Sequence, residues 1–301
     1  MSAPREAGAT RALHGGPTSH SFFSQRLRLQ YLDYGTGGKP LLVLVHGGRD
    51  HARSWDLVAE RLSPHYHVVA PDLRGHGDSA WAIGSQYSMP DYVLDLAQLL
   101  GHFDTPRVTL VGHSLGGGVV LQYAGIYPET VERIVAIEGL GPPPEMVVDR
   151  AVEERMSEWI ATMKQLAARK PRHYESTEEA EARMREANPH LSAEMARHLT
   201  VHGTMRMEDG SYTWKFDNYV RAWPPHRYDR KSVERLWSRI CCPVLLMRGS
   251  ESWASNPVDD GRASHFRDYR YVEIEGAGHW LHHDRYEEFM GRLEPFLGLQ
   301  R

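Results

Sequence analysis

One segment constrains this chain more than any other: Val108-Thr109-Leu110-Val111-Gly112-His113-Ser114-Leu115-Gly116-Gly117-Gly118. An apolar run of strand length leads straight into Gly-x-Ser-x-Gly, and a helical pattern (Val119, Leu121, Gln122, Tyr123, Ala124) follows at once. A serine caught between a buried strand and a helix has to sit in a tight, strained turn. Gly112 and Gly116 flank it because side chains there would run into the neighbouring strand and helix, and the strain lifts the hydroxyl clear of the backbone. A bare Gly-x-Ser-x-Gly is common by chance; one set between strand and helix is specific. A glycine-rich turn that only packs closely is the weaker reading.

The rest of the chain repeats the strand–helix alternation. Apolar runs at Leu41 to Val45, His67 to Ala70, Ile134 to Ile137, Val244 to Met247 and Tyr271 to Ile274 are bounded by Gly, Pro or Asp. Near-continuous apolar runs mark strands covered on both faces, as in a parallel sheet. Between them Tyr92, Leu96, Leu99, Leu100 and Phe103 recur at helical spacing, as do Tyr286, Phe289, Met290, Leu293 and Phe296. The expectation is a doubly wound α/β fold with a mostly parallel central sheet. Ser21 to Tyr34 reads as a hairpin of edge strands, and residues 1–20 as a loose tail.

Residues 141–240 break the alternation, with helical stripes and no convincing strand. Val152, Met156, Trp159, Ile160, Met163 and Leu166 form one helix that ends before Pro171, and Ser176 with Glu179 forms a capping box for another. A helical insertion between two strands of an open sheet reads as a cap over the strands' carboxyl ends, where such sheets bind ligands. The core is then 21–140 with 241–301.

Composition excludes several function classes. At 301 residues the chain can bury roughly 75% of the surface of its unfolded form. A net charge of −4 gives no electrostatic grip on nucleic acid or anionic lipid. No apolar run approaches the ~20 residues that span a bilayer, and the N-terminus has no apolar segment of signal-peptide type. Cys241 and Cys242 are adjacent and cannot staple distant segments, which suits the cytoplasm. Eighteen histidines invite a metal reading, but no His-Glu-x-x-His spacing occurs, so neither metal nor cofactor is expected.

The segment around Ser114 resembles the nucleophile elbow of the α/β-hydrolase family, and the resemblance covers nearly the whole chain. It implies that Ser114 is the nucleophile. It also implies an oxyanion hole made by the amides of Leu115, after the nucleophile, and Gly48, after His46-Gly47 at the end of Val43-Leu44-Val45. Asp72 to Ser79 resembles a family loop read as structural, with His76 and Asp78 holding its geometry. The family's histidine comes late, between the last strand and the final helix. Glu275-Gly276-Ala277-Gly278-His279 matches that position, so His279 is the expected general base. His282 and His283 belong to the start of the terminal helix, where exposed histidines are the bland expectation.

The third group, which orients the imidazole, departs from the family's commonest pattern. An Asp is usual shortly after the strand Val244 to Met247, but Ser252 stands in its place. Two carboxylates remain. Glu138 closes the strand Arg133 to Ile137, where haloalkane dehalogenases and coelenterazine-type luciferases of the same fold carry a catalytic Glu. A Glu buried after such a run needs a partner, and an imidazolium supplies one. Glu251, one residue off register, is the alternative. Glu138 is preferred.

A Ser nucleophile disfavours dehalogenase and epoxide-hydrolase chemistry, which needs an Asp there. It points to acyl transfer, most simply hydrolysis of small to medium apolar esters through an acyl-enzyme. A lactonase or carbon–carbon-bond hydrolase on the same Ser-His-Glu triad, or a ligand sensor with slow turnover, stays open. The insertion offers Trp214, Phe216, Tyr219, Trp223 and Tyr228 either as walls of an acyl pocket or as its own core. His113 and Trp280, beside the nucleophile and the base, are counted with the pocket, although the turn points His113 away from the serine. The expected partner is a small-molecule ester, and a homodimer is left open.

Overall fold

The computed structural model describes residues 16–299, apart from 36–37, 85–86, 144–145, 147–149 and 227–228. The expected tail lies outside the described residues up to residue 15, and Thr18 to His20 already belong to the first strand. β1 (Thr18–Ser24) and β2 (Leu27–Asp33) form the expected hairpin, started three residues earlier than Ser21. It continues into β3 (Leu41–Val45), β4 (His67–Pro71), β5 (Val108–His113), β6 (Val131–Ile137), β9 (Val244–Gly249) and β10 (Tyr269–Ile274). These pair as one eight-stranded sheet in the order β1-β2-β4-β3-β5-β6-β9-β10. β1 and β2 run antiparallel, and every pair from β4 to β10 is parallel.

The strands alternate faces with period two. Val43, Leu110, Ile134 and Leu246 point into one core with helices α2 (Met89–Leu100) and α3 (Leu115–Ile126). Leu44, Val111, Val135 and Leu245 point into the other, with α1 (Asp56–Leu62) and α9 (Tyr286–Phe296). Both faces are covered, which is why the strand sequences show runs of apolar residues instead of alternation.

Between β6 and β9 lie α4 (Val152–Ala168), α5 (Thr177–Ala187), α6 (Ala193–Gly203) and α7 (Arg230–Arg239). The capping box opens α5: Ser176 Oγ accepts from the Glu179 amide, and the Glu179 carboxylate reaches back to the Glu175 amide. The expectation of no strand in this stretch needs correction. β7 (Thr204–Arg206) and β8 (Tyr212–Trp214) form a short antiparallel hairpin. Its signal was Asp209-Gly210, with Gly210 at φ 87°, but three-residue strands are too short to show a period. α7 also falls within 141–240, yet it packs on α3 and buries Trp237 in the sheet's core. Among the described residues no helix is long and apolar enough to cross a membrane.

Candidate active site

Ser114 sits at the junction of β5 and α3 with φ 51° and ψ −113°, a conformation that a side chain adopts only under strain. Neighbouring backbone enforces it. A Cβ at Gly116 would lie 2.2 Å from the Val45 carbonyl oxygen, and one at Gly112 would lie 2.4 Å from that of Gly116. The Ser114 amide donates to the Ile137 carbonyl (2.8 Å), tying the turn to the end of β6. Leu115 opens α3, so its amide is one of the donors a helix start leaves without an intrahelical partner. Ser114, Leu115 and Gly48 line a single cavity of about 1220 Å³.

His279 lines the same cavity, in the loop after β10. Its Nδ1 is hydrogen-bonded to Glu138 Oε2. The Glu138 side chain is 0% exposed, so its charge must be met by partners, and three are present. Besides His279, the Gly249 amide donates to Oε1 (2.9 Å) and the Ser252 hydroxyl donates to Oε2 (2.6 Å). Ser252, standing where the family's Asp is usual, thus donates to the carboxylate instead of supplying one. Glu138 itself is held at φ 50°, with its amide donating to the Met247 carbonyl at 2.9 Å. Glu251 has a side chain 57% exposed and faces His190 at 3.6 Å.

The loop that carries His279 is fastened to the Ser114 turn by a contact that the spacing did not announce. His113 Nε2–H donates to the His279 carbonyl (2.9 Å), so the residue before Ser114 holds the His279 backbone in place. Trp253, itself exposed, lies against the His279 ring with centroids 5.0 Å apart. The exposed helix position expected for His282 is a correction: it is fully buried, with its ring stacked on Trp55 at 4.7 Å. A four-residue helix, α8 (Leu281–Asp284), turns it inward before α9 begins. In the Asp72 to Ser79 loop, His76 Nδ1–H donates to the Arg74 carbonyl, as a structural role requires. Asp78 acts through its amide, which the Asp72 carboxylate accepts (2.9 Å), while its own carboxylate meets Lys215.

Of the aromatic residues expected in the pocket, Trp223 and Trp280 line the cavity with His113. Trp214, Phe216 and Tyr219 do not, and that expectation is corrected. Trp214 and Phe216 line a separate, much smaller pocket with Asp50 and His51, and Trp214 Nε1–H donates to the Tyr174 hydroxyl (3.0 Å). Tyr219 packs on the core that holds α2 and α3. Tyr228 lies outside the described residues. Met89, Leu140, Val220 and Trp237 supply apolar wall that the aromatic count overlooked.

Burial keeps an unusual set of histidines neutral. His46, His113 and His282 lie well below the ordinary histidine pKa, His51 and His76 at about 4 and His283 at about 3, burial being the main cause in each. Unfolding returns each to about 6.5, so below that pH the unfolded chain binds more protons, and stability present above pH 6.5 is lost as pH falls. Burial raises Asp50 to about 7 and Asp72 to about 6 and pushes Asp95 and Asp284 up, and the hydrogen bond to Asp56 raises His198; these favour the folded state on acidification, but they are fewer than the lowered histidines, which His202 joins. The melting temperature is therefore expected to fall steadily from pH 6.5 to pH 4.5 by circular dichroism. A flat or rising profile would contradict the buried, neutral histidines. His282→Ala is expected to lower the melting temperature rather than kcat, by about 2–3 kcal/mol in stability.

Residues 42–292 match the alpha/beta hydrolase family. The chain belongs to that family. An esterase of Mycobacterium tuberculosis is 27% identical to this alpha/beta hydrolase over 247 residues, 80% of this chain and 77% of its own. Uncharacterized proteins of Mycobacterium bovis and Mycobacterium tuberculosis are 40% identical over 105 residues, so the match covers 35% of this chain and 30% of theirs. A solved structure of a hypothetical protein from Pseudomonas aeruginosa superposes with a TM-score of 0.80 at 26% identity, covering 94% of this chain and 100% of its own.

Proposed function

We propose that this alpha/beta hydrolase cleaves carboxylic esters of small to medium apolar acids through an acyl-enzyme. The observation that carries the reading is the convergence of a strained Ser114 and a Glu138-held His279 on one cavity. Ser114 Oγ attacks the ester carbonyl while His279 Nε2 takes its proton, and Glu138 holds Nδ1–H and stabilises the imidazolium that results. The Gly48 and Leu115 amides receive the oxyanion, a contribution of about 3–4 kcal/mol for each donor. Collapse of the tetrahedral intermediate releases the alcohol, which takes the proton from His279. Water, deprotonated by the same imidazole, then frees the acid.

The insertion 141–240 between β6 and β9 serves as the cap, since Ala187 to His190, Val220 and Trp223 wall the cavity from that side. A volume of about 1220 Å³ exceeds what an acetate ester fills and accommodates a longer acyl chain. Two free, adjacent thiols, Cys241 and Cys242, favour a reducing compartment such as the cytoplasm. Turnover of p-nitrophenyl esters from acetate to octanoate, alongside simple lactones, tests the reading. A burst of p-nitrophenol matching the enzyme concentration is expected with the esters. Absence of ester turnover, with or without lactone opening, would overturn it. Trp223→Ala is expected to shift chain-length preference more than it changes the rate on acetate, because a wall residue acts by binding the remote part of the substrate. Lost stability with unchanged preference would make Trp223 cap packing only.

A further inference from the structure

The cavity that holds Ser114 has a charged wall that the hydrolysis of apolar esters does not use. Four arginines line it: Arg49, Arg221, Arg230 and Arg262. Arg230 is paired with Glu234, and Arg262 with Asp260. Arg49 and Arg221 have no acidic partner among the described residues. Arg49 directly follows Gly48 and holds φ 64°, a left-handed conformation that an arginine adopts at a cost. Arg221 lies over the Phe216 ring with its guanidinium carbon 5.5 Å from the centroid.

Both residues border the same cavity. Burial, then Arg49, then Arg169 hold the Arg221 pKa below its usual value. Arg49 and Arg221 are exposed where they border the cavity, so neither is neutralised by the protein and both are free to meet an anion. The acids nearby are already engaged. Asp217 accepts from the Tyr87 hydroxyl (2.7 Å) and the Tyr219 amide (3.0 Å), and the cavity's own Glu251 and Asp284 face His190 and the Gly278 amide. Two arginines without an acidic partner on one wall suit an anionic group there, not the end of an alkyl chain.

We propose that Arg49 and Arg221 form a carboxylate subsite, so that the preferred ester carries a free carboxylate on its acyl part, as a half-ester of a dicarboxylic acid does. The apolar walls then hold the methylenes between the scissile ester and that carboxylate. The guanidinium fork suits this group, since it meets a carboxylate with two parallel hydrogen bonds. The inference rests on the serine-hydrolase reading for its substrate, though not for its binding site.

The test compares monoethyl adipate with ethyl hexanoate, which has the same chain length and no charge. In the wild-type protein kcat/KM is expected to favour monoethyl adipate by about tenfold or more at low salt, the scale of one charged hydrogen-bonded pair. The preference is expected to shrink as ionic strength rises. Arg221→Leu is expected to bring the ratio to about 1, while Arg221→Lys keeps part of it. A wild-type ratio of 1 or below, or a ratio untouched by Arg221→Leu, would overturn the subsite. A binding arm separates this from failure of the hydrolase reading. Calorimetry on Ser114→Ala is expected to show monoethyl adipate binding about tenfold more tightly than ethyl hexanoate, and Ser114→Ala/Arg221→Leu to lose the difference. If neither ester is turned over, the hydrolase reading fails and this arm alone decides: a retained difference supports the subsite, and equal binding overturns it.

Discussion

Ser114→Ala is expected to remove ester hydrolysis almost completely, by a factor near ~10⁶ in kcat, and to abolish covalent labelling by a fluorophosphonate. The size follows from the roles. Without Oγ there is no acyl-enzyme, and His279 and Glu138 have no proton to move. What survives is the residual effect of the oxyanion donors and of binding. The fold should not change, because the turn at Ser114 is held by the hydrogen bond its backbone amide donates to the Ile137 carbonyl and by the glycines around it. Steady-state kinetics with a p-nitrophenyl ester and a gel of labelled protein check both halves. Labelling that persists at another serine would remove Ser114 from its role.

The second large effect belongs to Glu138. Glu138→Gln keeps the size of the side chain but loses the charge and can turn an amide N–H toward His279 Nδ1, favouring the wrong tautomer. By analogy with a serine protease that loses its orienting carboxylate, the cost is ~10⁴-fold in turnover. Glu251→Gln is expected to cost less than about tenfold, or ~1.4 kcal/mol, because Glu251 is exposed and faces His190. The pair is a direct comparison, since each variant removes one of the two candidate carboxylates and keeps the size of the side chain. If Glu251→Gln were the crippling change, the charge on His279 would have to be met from the later loop. Ser252 separates a positioning effect from a structural one: Ser252→Ala removes one of the donors that hold the Glu138 carboxylate in place. A modest loss of kcat is expected with an altered pH–rate profile and an unchanged melting temperature.

Much of this site was legible in the chain because its chemistry is local. Gly112, Ser114 and Gly116 mark a strand-to-helix turn within five residues, and the crowding at each glycine shows why no other residue fits. The near-continuous apolar strands announced the sheet for the same reason: continuous apolarity is a property of neighbours. The preference for Glu138 has a different source: the resemblance to relatives of the fold that carry a Glu at the end of this strand, joined to the desolvation cost of a carboxylate after an apolar run and the absence of an Asp at position 252. His279 and Glu138 are 141 positions apart, and no period in the sequence connects them. What stayed hidden is what depends on contacts between distant segments. His113 reaching the His279 carbonyl, Ser252 serving the glutamate, and Trp214 turning to Tyr174 instead of the cavity are all of this kind. His282 misled because a polar residue at a helix start is ordinarily solvated, whereas here a one-turn helix rotates it against Trp55.

The most direct measurement of the central claim is capture of the acyl-enzyme itself. Wild-type protein mixed with p-nitrophenyl butyrate and acid-quenched during the burst can be digested and read by mass spectrometry. The butyryl group is expected on the peptide containing Ser114 and nowhere else, at a level that rises with the burst and that Ser114→Ala lacks. Steady turnover with no acylated peptide, or with the acyl group on a different residue, would contradict it.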